Sequence, residues 1–129
     1  MRSWTYCLVA LAALAGAAGV IEAAMVAHAT TDPLIQTSAN FLQLNAAAVI
    51  AIAAVAQAAP FRRRAFLVAG SILLGGSALF CGDLTARALS TQRLFPFAAP
   101  IGGTSMILGW IATALAGLAV GFGGRSRDS

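Results

Sequence analysis

Four long apolar runs separated by short polar stretches organise the chain: Trp4 to Ala27, Asn40 to Ala59, Ala65 to Gly82 and Ala98 to Phe122. Each is close to the roughly 20 apolar helical residues needed to cross a hydrocarbon core. A lipid-facing barrel strand would alternate apolar and polar positions; these runs do not, and Ala, Leu and Gly dominate them. In lipid every backbone amide must be paired within its own segment or within a closed barrel, so the runs predict α-helices. The expected fold is all-α, an integral membrane four-helix bundle forming a single four-span domain over residues 1–129. Two of the three connections are short, which favours antiparallel neighbours.

The ends of the helices are marked. Asp32 followed by Pro33 reads as an N-cap and first helical residue, so the second helix is expected to begin before its span. Pro60 should end it, Pro100 should fall in the first turn of the fourth helix, and Gly123 with Gly124 should stop that helix. Trp4 and Tyr6 at one end, and Phe95 and Phe97 at the other, stand where interfacial aromatic anchors are expected. Between the third and fourth runs, Leu84, Ala88 and Phe95 suggest that part of residues 83–99 lies on the membrane surface as a short amphipathic segment, the expected partner-binding element.

Composition agrees with this layout. The 129 residues are 60% hydrophobic and 9% charged, with a mean hydropathy of +0.86, more apolar surface than a soluble domain of this size can hide. All eight basic residues are Arg. Arg2, Arg62, Arg63, Arg64, Arg125 and Arg127 fall on one side of the four-span arrangement, and Arg87 and Arg93 on the other. The positive-inside rule therefore places both ends in the cytoplasm and the loops near Asp32 and Arg87 outside. That assignment accounts for the net charge of +4 without nucleic acid, whose binding needs exposed basic surface with stacking aromatics. Arg2, the run Tyr6 to Val20 and the triplet Ala27, His28, Ala29 together resemble a secretory signal. The run is longer than a signal core and Glu22 interrupts the approach to the triplet, so the first helix is expected to remain as a span.

Candidate chemistry is sparse. Cys7 and Cys81 belong to opposite ends of the bundle, too far apart for a disulfide. One His without a Cys pair does not make a zinc site, and no phosphate-binding loop, nucleophile elbow or metalloprotease motif is present. No cofactor, metal or catalytic residue is expected. The polar residues that remain gather in the outer half: Glu22, His28, Gln36, Asn40, Gln43, Asp83 and Arg87. The spacing of Gln36, Asn40 and Gln43 puts them on one helical face, and Asp83 can pair with Arg87 at i,i+4. An intramembrane carboxylate is a functional candidate by default, but Glu22 lies roughly 7 Å of helix rise from the end of its run and is expected to reach water or Arg87. His28 reads as an interfacial histidine. The fourth run carries Ser105, Gly109, Thr113, Gly117 and Gly121 at every fourth position, a strip that lets another helix approach closely. It is expected to pack on the small residues Ala12, Ala15, Gly16 and Gly19 of the first helix, or else to form a face for a partner.

The stretch FCGDLTARALSTQRLFPFAAPIGGTSMILGW, from Phe80 to Trp110, resembles the end of the third helix, the loop and the fourth helix of family 423 of the domains of unknown function. Pro100, Gly102 and Gly103 match its Pro-x-Gly-Gly, Ala27-His28-Ala29 looks like its Gly-Ala-His segment, and Asn40 to Ala53 resembles its second helix. The likeness covers nearly the whole chain. It implies a small four-span protein of the bacterial inner membrane, related to transmembrane protein 256, and implies no particular activity. Ala23, Ala24 and Val26 replace family glycines, and Asn45 stands where the second helix often carries a His, so a paired-histidine site is not expected.

Two functions fit these features. The first is a non-enzymatic structural or accessory component of a membrane complex, in contact with the lipid bilayer and with a second copy or larger assembly. The alternative is a small dimeric proton-coupled transporter using Glu22. An enzyme would need a convergent acid-base pair, for which Glu22, His28 and Asp83 are the only candidates at a common depth.

Overall fold

The computed structural model describes residues 2–123; Gly124, Arg125 and Arg127 lie outside the described residues. Four α-helices follow one another, α1 (Arg2–His28), α2 (Pro33–Ala58), α3 (Arg63–Ser90) and α4 (Ala98–Gly123), with a 3-10 turn at Pro60–Arg62. Each of the four is long and apolar enough to cross a membrane, and the chain is a multi-pass membrane bundle. Large apolar side chains such as Leu11, Leu14, Ile21, Ile107 and Leu115 stand on its outside, where they meet lipid.

The helix starts and stops follow local chemistry. The Asp32 carboxylate accepts the Leu34 amide at 2.9 Å and Pro33 opens α2, satisfying a donor that has no partner inside the helix. Pro60 cannot continue α2 and begins the turn that leads into α3. Pro100 lies in the first turn of α4, where its missing N–H costs nothing. The third helix differs from expectation. Residues 83–90 are its last turns rather than a separate surface segment, because α3 runs on to Ser90 and ends only where Thr91 turns left-handed (φ 61°). The true connection to α4 is the seven-residue stretch 91–97.

Neighbouring helices are antiparallel. Gly16 meets Ala46 and Gly19 meets Leu42 and Gln43; Ser38 meets Cys81 and Gly70 meets Ile52; Gly76 meets Gly102 and Leu73 meets Gly109. In each series the numbers fall in one helix as they rise in the other. The second and third helices are central. The third packs on α4, the second on α1, and α1 touches α3 along a narrower seam. Leu8 and Ala12 of α1 meet Val49, Ile52 and Ala56 of α2, with Phe66, Leu67 and Leu73 of α3 and Met106 and Ala116 of α4 closing the core. Farther out, α2 and α4 part around an apolar groove of ≈ 280 Å³ floored by Phe66, with Ile52 and Val55 on one wall and Trp110 on the other.

The small-residue strip of α4 is not laid against α1. Its first half serves α3 instead: Ser105 packs at Gly76, and Gly109 lies so close to Leu73 that a Cβ there would sit 2.8 Å from the Leu73 backbone. Gly102 is tighter still, since a Cβ would come within 2.5 Å of Phe80 N. Gly117 and Gly121 meet nothing within 4 Å. The glycines of α1 are taken up by α2, which is why α4 found its partner in α3.

This division is testable. Gly102→Val should force α3 and α4 apart at a cost of about 1–3 kcal/mol or more, seen as a lower melting temperature of the detergent-solubilised protein. Gly117→Val should melt with the parent, and equal losses from both variants would contradict the helix order.

Candidate functional site

The end of α1, the start of α2 and the last turns of α3 meet at a buried polar junction. Glu22 of α1 is 7% exposed, held there because Gly19, one turn earlier, allows α1 to lie directly on Leu42 and Gln43 of α2. Its Oε1 is 2.5 Å from Thr85 Oγ1 of α3. Thr85 Oγ1 is in turn 2.8 Å from the carbonyl oxygen of Cys81 and 3.2 Å from Ser38 Oγ of α2. Ser38 Oγ also reaches the Cys81 carbonyl at 3.3 Å, and the Cys81 thiol donates to the Ser38 carbonyl at 3.6 Å. Glu22 Oε2 is buried without a hydrogen-bond partner among the described residues. The expectation that Glu22 reaches water or Arg87 is therefore wrong: its neighbours are hydroxyls, and Arg87 is engaged elsewhere.

Arg87 donates to Asp83 Oδ2 through Nη2 at 2.6 Å and Nε at 2.9 Å, the i,i+4 pairing the spacing predicts. Asp83 is fully buried while Arg87 remains a quarter exposed. The other carboxylate oxygen, Oδ1, accepts the Leu94 amide at 3.0 Å. One side chain thus ties the end of α3 to the connection that leads into α4. This role is structural, and it takes Asp83 away from Glu22.

Of the remaining polar candidates, Gln43 alone packs on α1 near Glu22, and none bonds to it. His28 is exposed at the end of α1. Gln36 and Asn40 do share a face, bonded to each other at 3.1 Å, but that face points away from the bundle. Gln43 is exposed and turns back to donate to the Gly19 carbonyl at 3.2 Å. The acid-base set Glu22, His28 and Asp83 does not converge: one is buried at the three-helix junction, one exposed, one committed to Arg87 and Leu94.

Sequence reading missed Ser38, Thr85 and Asn45. Small hydroxyls in helices commonly bond the carbonyl four residues back, as Thr85 does with Cys81, so they carry little signal by themselves. The signal was in α2, where Ile35, Ser38, Leu42, Asn45, Val49, Ile52 and Ala56 recur at intervals of three and four. Two polar residues on an otherwise apolar seam mark a buried position. Asn45 uses its amide hydrogen on Met106 Sδ at 3.1 Å, linking α2 to α4, while its Oδ1 is buried without a partner. At the opposite end Trp4 Nε1 donates to Ser71 Oγ at 3.0 Å. The narrow seam between α1 and α3 is thus pinned at both ends by a polar contact.

Removing Asp83 separates the two parts of this picture. Asp83→Ala should cost about 1–3 kcal/mol by leaving Arg87 and the Leu94 amide unpaired. Hydrogen exchange should rise across residues 91–97 while the α1 amides around Glu22 keep their protection. Unchanged exchange at Leu94 would contradict the tie.

No solved structure matches the chain. The model of the family described as "Protein of unknown function (DUF423)" matches residues 15–103, from the middle of α1 through the connection to the first turns of α4, and the chain belongs to that family.

Proposed function

We propose that the protein is a non-enzymatic component, structural or accessory, of a homo-oligomer or larger complex in a bacterial inner membrane, with both ends cytoplasmic. The observation that carries this reading is the division of α4. Half of its small-residue strip is spent on α3, and the other half, Gly117 and Gly121, is open to an approaching helix. A GxxxG face exposed in hydrocarbon favours another helix by close backbone contact. The dispersal of Glu22, His28 and Asp83 supports it too, since acid-base catalysis needs such groups within reach of one proton. In native membranes extracted in mild detergent, the protein should run above monomer mass or carry partners through a pull-down. Gly117→Ile with Gly121→Ile should abolish that association while the separated protomer keeps its helical content. A detergent-corrected monomer that brings down nothing would end this reading.

A second reading, a small dimeric proton-coupled transporter, is favoured by Glu22. A carboxyl nine-tenths buried within a span, with one oxygen unpartnered, is the kind of group that marks proton and ion pathways. Proteoliposomes should then show proton-coupled flux that Glu22→Gln removes. Flux that is absent, or indifferent to the substitution, rejects it.

A further inference from the structure

We propose that Glu22 is a proton-binding site, its carboxyl carrying the hydrogen of the Glu22–Thr85 bond, with Thr85 and Ser38 as the residues that position it. This deepens the transport reading by giving the resting protonation state of the junction and the residues that hold the acid in place, and rests on that reading only for its consequence.

The argument is a count of hydrogens. Four oxygen–oxygen contacts make up the junction: Glu22 to Thr85, Thr85 to the Cys81 carbonyl, Thr85 to Ser38, and Ser38 to the same carbonyl. A hydroxyl brings one hydrogen and a carbonyl none. With an ionised Glu22, Thr85 and Ser38 supply two hydrogens for the four contacts. Thr85 must then choose between the carboxylate and the carbonyl one turn back. Oε2 keeps its share of negative charge, buried and without a donor.

A carboxylic acid resolves both difficulties. The acid hydrogen goes to Thr85 Oγ1, the Thr85 hydrogen is released to the Cys81 carbonyl, and Ser38 donates to Thr85. Thr85 then gives one bond and accepts two, its full capacity, and three of the four contacts carry a hydrogen; the longest, Ser38 to the Cys81 carbonyl at 3.3 Å, carries none. Oε2 becomes a neutral carbonyl oxygen, whose burial without a partner is far cheaper than that of a charge.

The surroundings offer no substitute for the proton. On α3 the charged groups Asp83 and Arg87 neutralise each other, and the titratable neighbour of Glu22 is the Cys81 thiol, which is itself bonded to Ser38 O. From α2 come the uncharged Ser38 and Gln43. His28, on Glu22's own helix, is exposed, and α4 contains no charged residue. A bound metal ion would need its oxygens spread around it, whereas Thr85 Oγ1 already sits within 2.5–3.2 Å of three others. When the proton leaves, Thr85 can hold the carboxylate only by withdrawing its hydrogen from the Cys81 carbonyl, so deprotonation rearranges this polar contact between α1 and α3.

Glu22 is the only glutamate in the chain, so isotope labelling reports on it alone. Full-length protein in lipid bilayers, grown with carboxyl-labelled ¹³C-glutamate, is examined by infrared spectroscopy at neutral pH. A protonated-acid carbonyl stretch that moves with the label, shifts in D₂O and vanishes in Glu22→Gln is the expected result. In Thr85→Val the acid stretch should persist at a higher frequency, its hydrogen-bond acceptor gone. A labelled signal found only in the carboxylate region overturns the proposal. Conversion of the acid stretch to carboxylate by added sodium at constant pH overturns it in favour of a cation site. The spectrum needs no flux, so an acid stretch without transport rejects only the transport reading.

Discussion

Helices that lie in hydrocarbon gain nothing by hiding apolar side chains from one another, because lipid tails are as apolar as Leu. Their arrangement must come from close backbone approach and from polar groups that lipid cannot satisfy. Both are visible here, and they divide the work between the helix pairs. The contact of α3 with α4 depends on approach: Gly76, Gly102 and Gly109 admit the opposite backbone to distances at which a Cβ would clash. Where α1 meets α3, Leu8 packs at Gly70 between two polar contacts, Trp4–Ser71 on one side and Glu22–Thr85 on the other. The second helix uses both, receiving Gly16 and Gly19 of α1 on one side and reaching α3 through Ser38.

That division also explains why the bundle is not a closed square. A glycine surface can be used once. The glycines of α1 lie against Ala46, Leu42 and Gln43, and those in the first half of α4 lie against α3, so α1 has no glycine face left to offer α4. What α4 retains is Gly117 and Gly121 near its far end, where α2 and α4 have already parted around the Phe66 groove. The same packing rule that fixes the internal contacts thereby leaves an approachable face on the outside.

The fold was legible because its causes are one-dimensional. Run length, the absence of strand alternation, Asp32-Pro33, Pro60 and Pro100 each act within a few residues, and the helices obey them. The misplacements share a different origin. The extension of α3 to Ser90 goes with the burial of Asp83, whose carboxylate takes the Leu94 amide folding back from the connection as well as Arg87 on its own helix, and an apolar run that stops at Gly82 does not show it. Pairing α4 with α1 rested on two equally small surfaces, and composition cannot decide between equals; Leu73, on a third helix, decided it. Gln36, Asn40 and Gln43 were rightly given a common face, but periodicity fixes the angle between residues and not the direction in which the face looks.

Glu22 is the instructive case, since its place in the last turns of α1 is plain from the sequence and its environment is not. Helix rise alone puts it close to the end of a span, and a long side chain at that depth ordinarily reaches towards water. Gly19 prevents this by drawing α1 onto α2, and Thr85 completes the enclosure from α3. Each closing residue is small or weakly polar, and none would attract notice alone. A buried carboxyl is thus produced by ordinary packing residues acting on one exceptional one. The chain retains a group that costs stability inside a membrane, at a junction of hydroxyls and a helix carbonyl that encloses it. An apolar residue at the position would pack the same helices without that cost. Packing accounts for how Glu22 is enclosed, and the hydroxyls of Thr85 and Ser38 for how an acid is accommodated there.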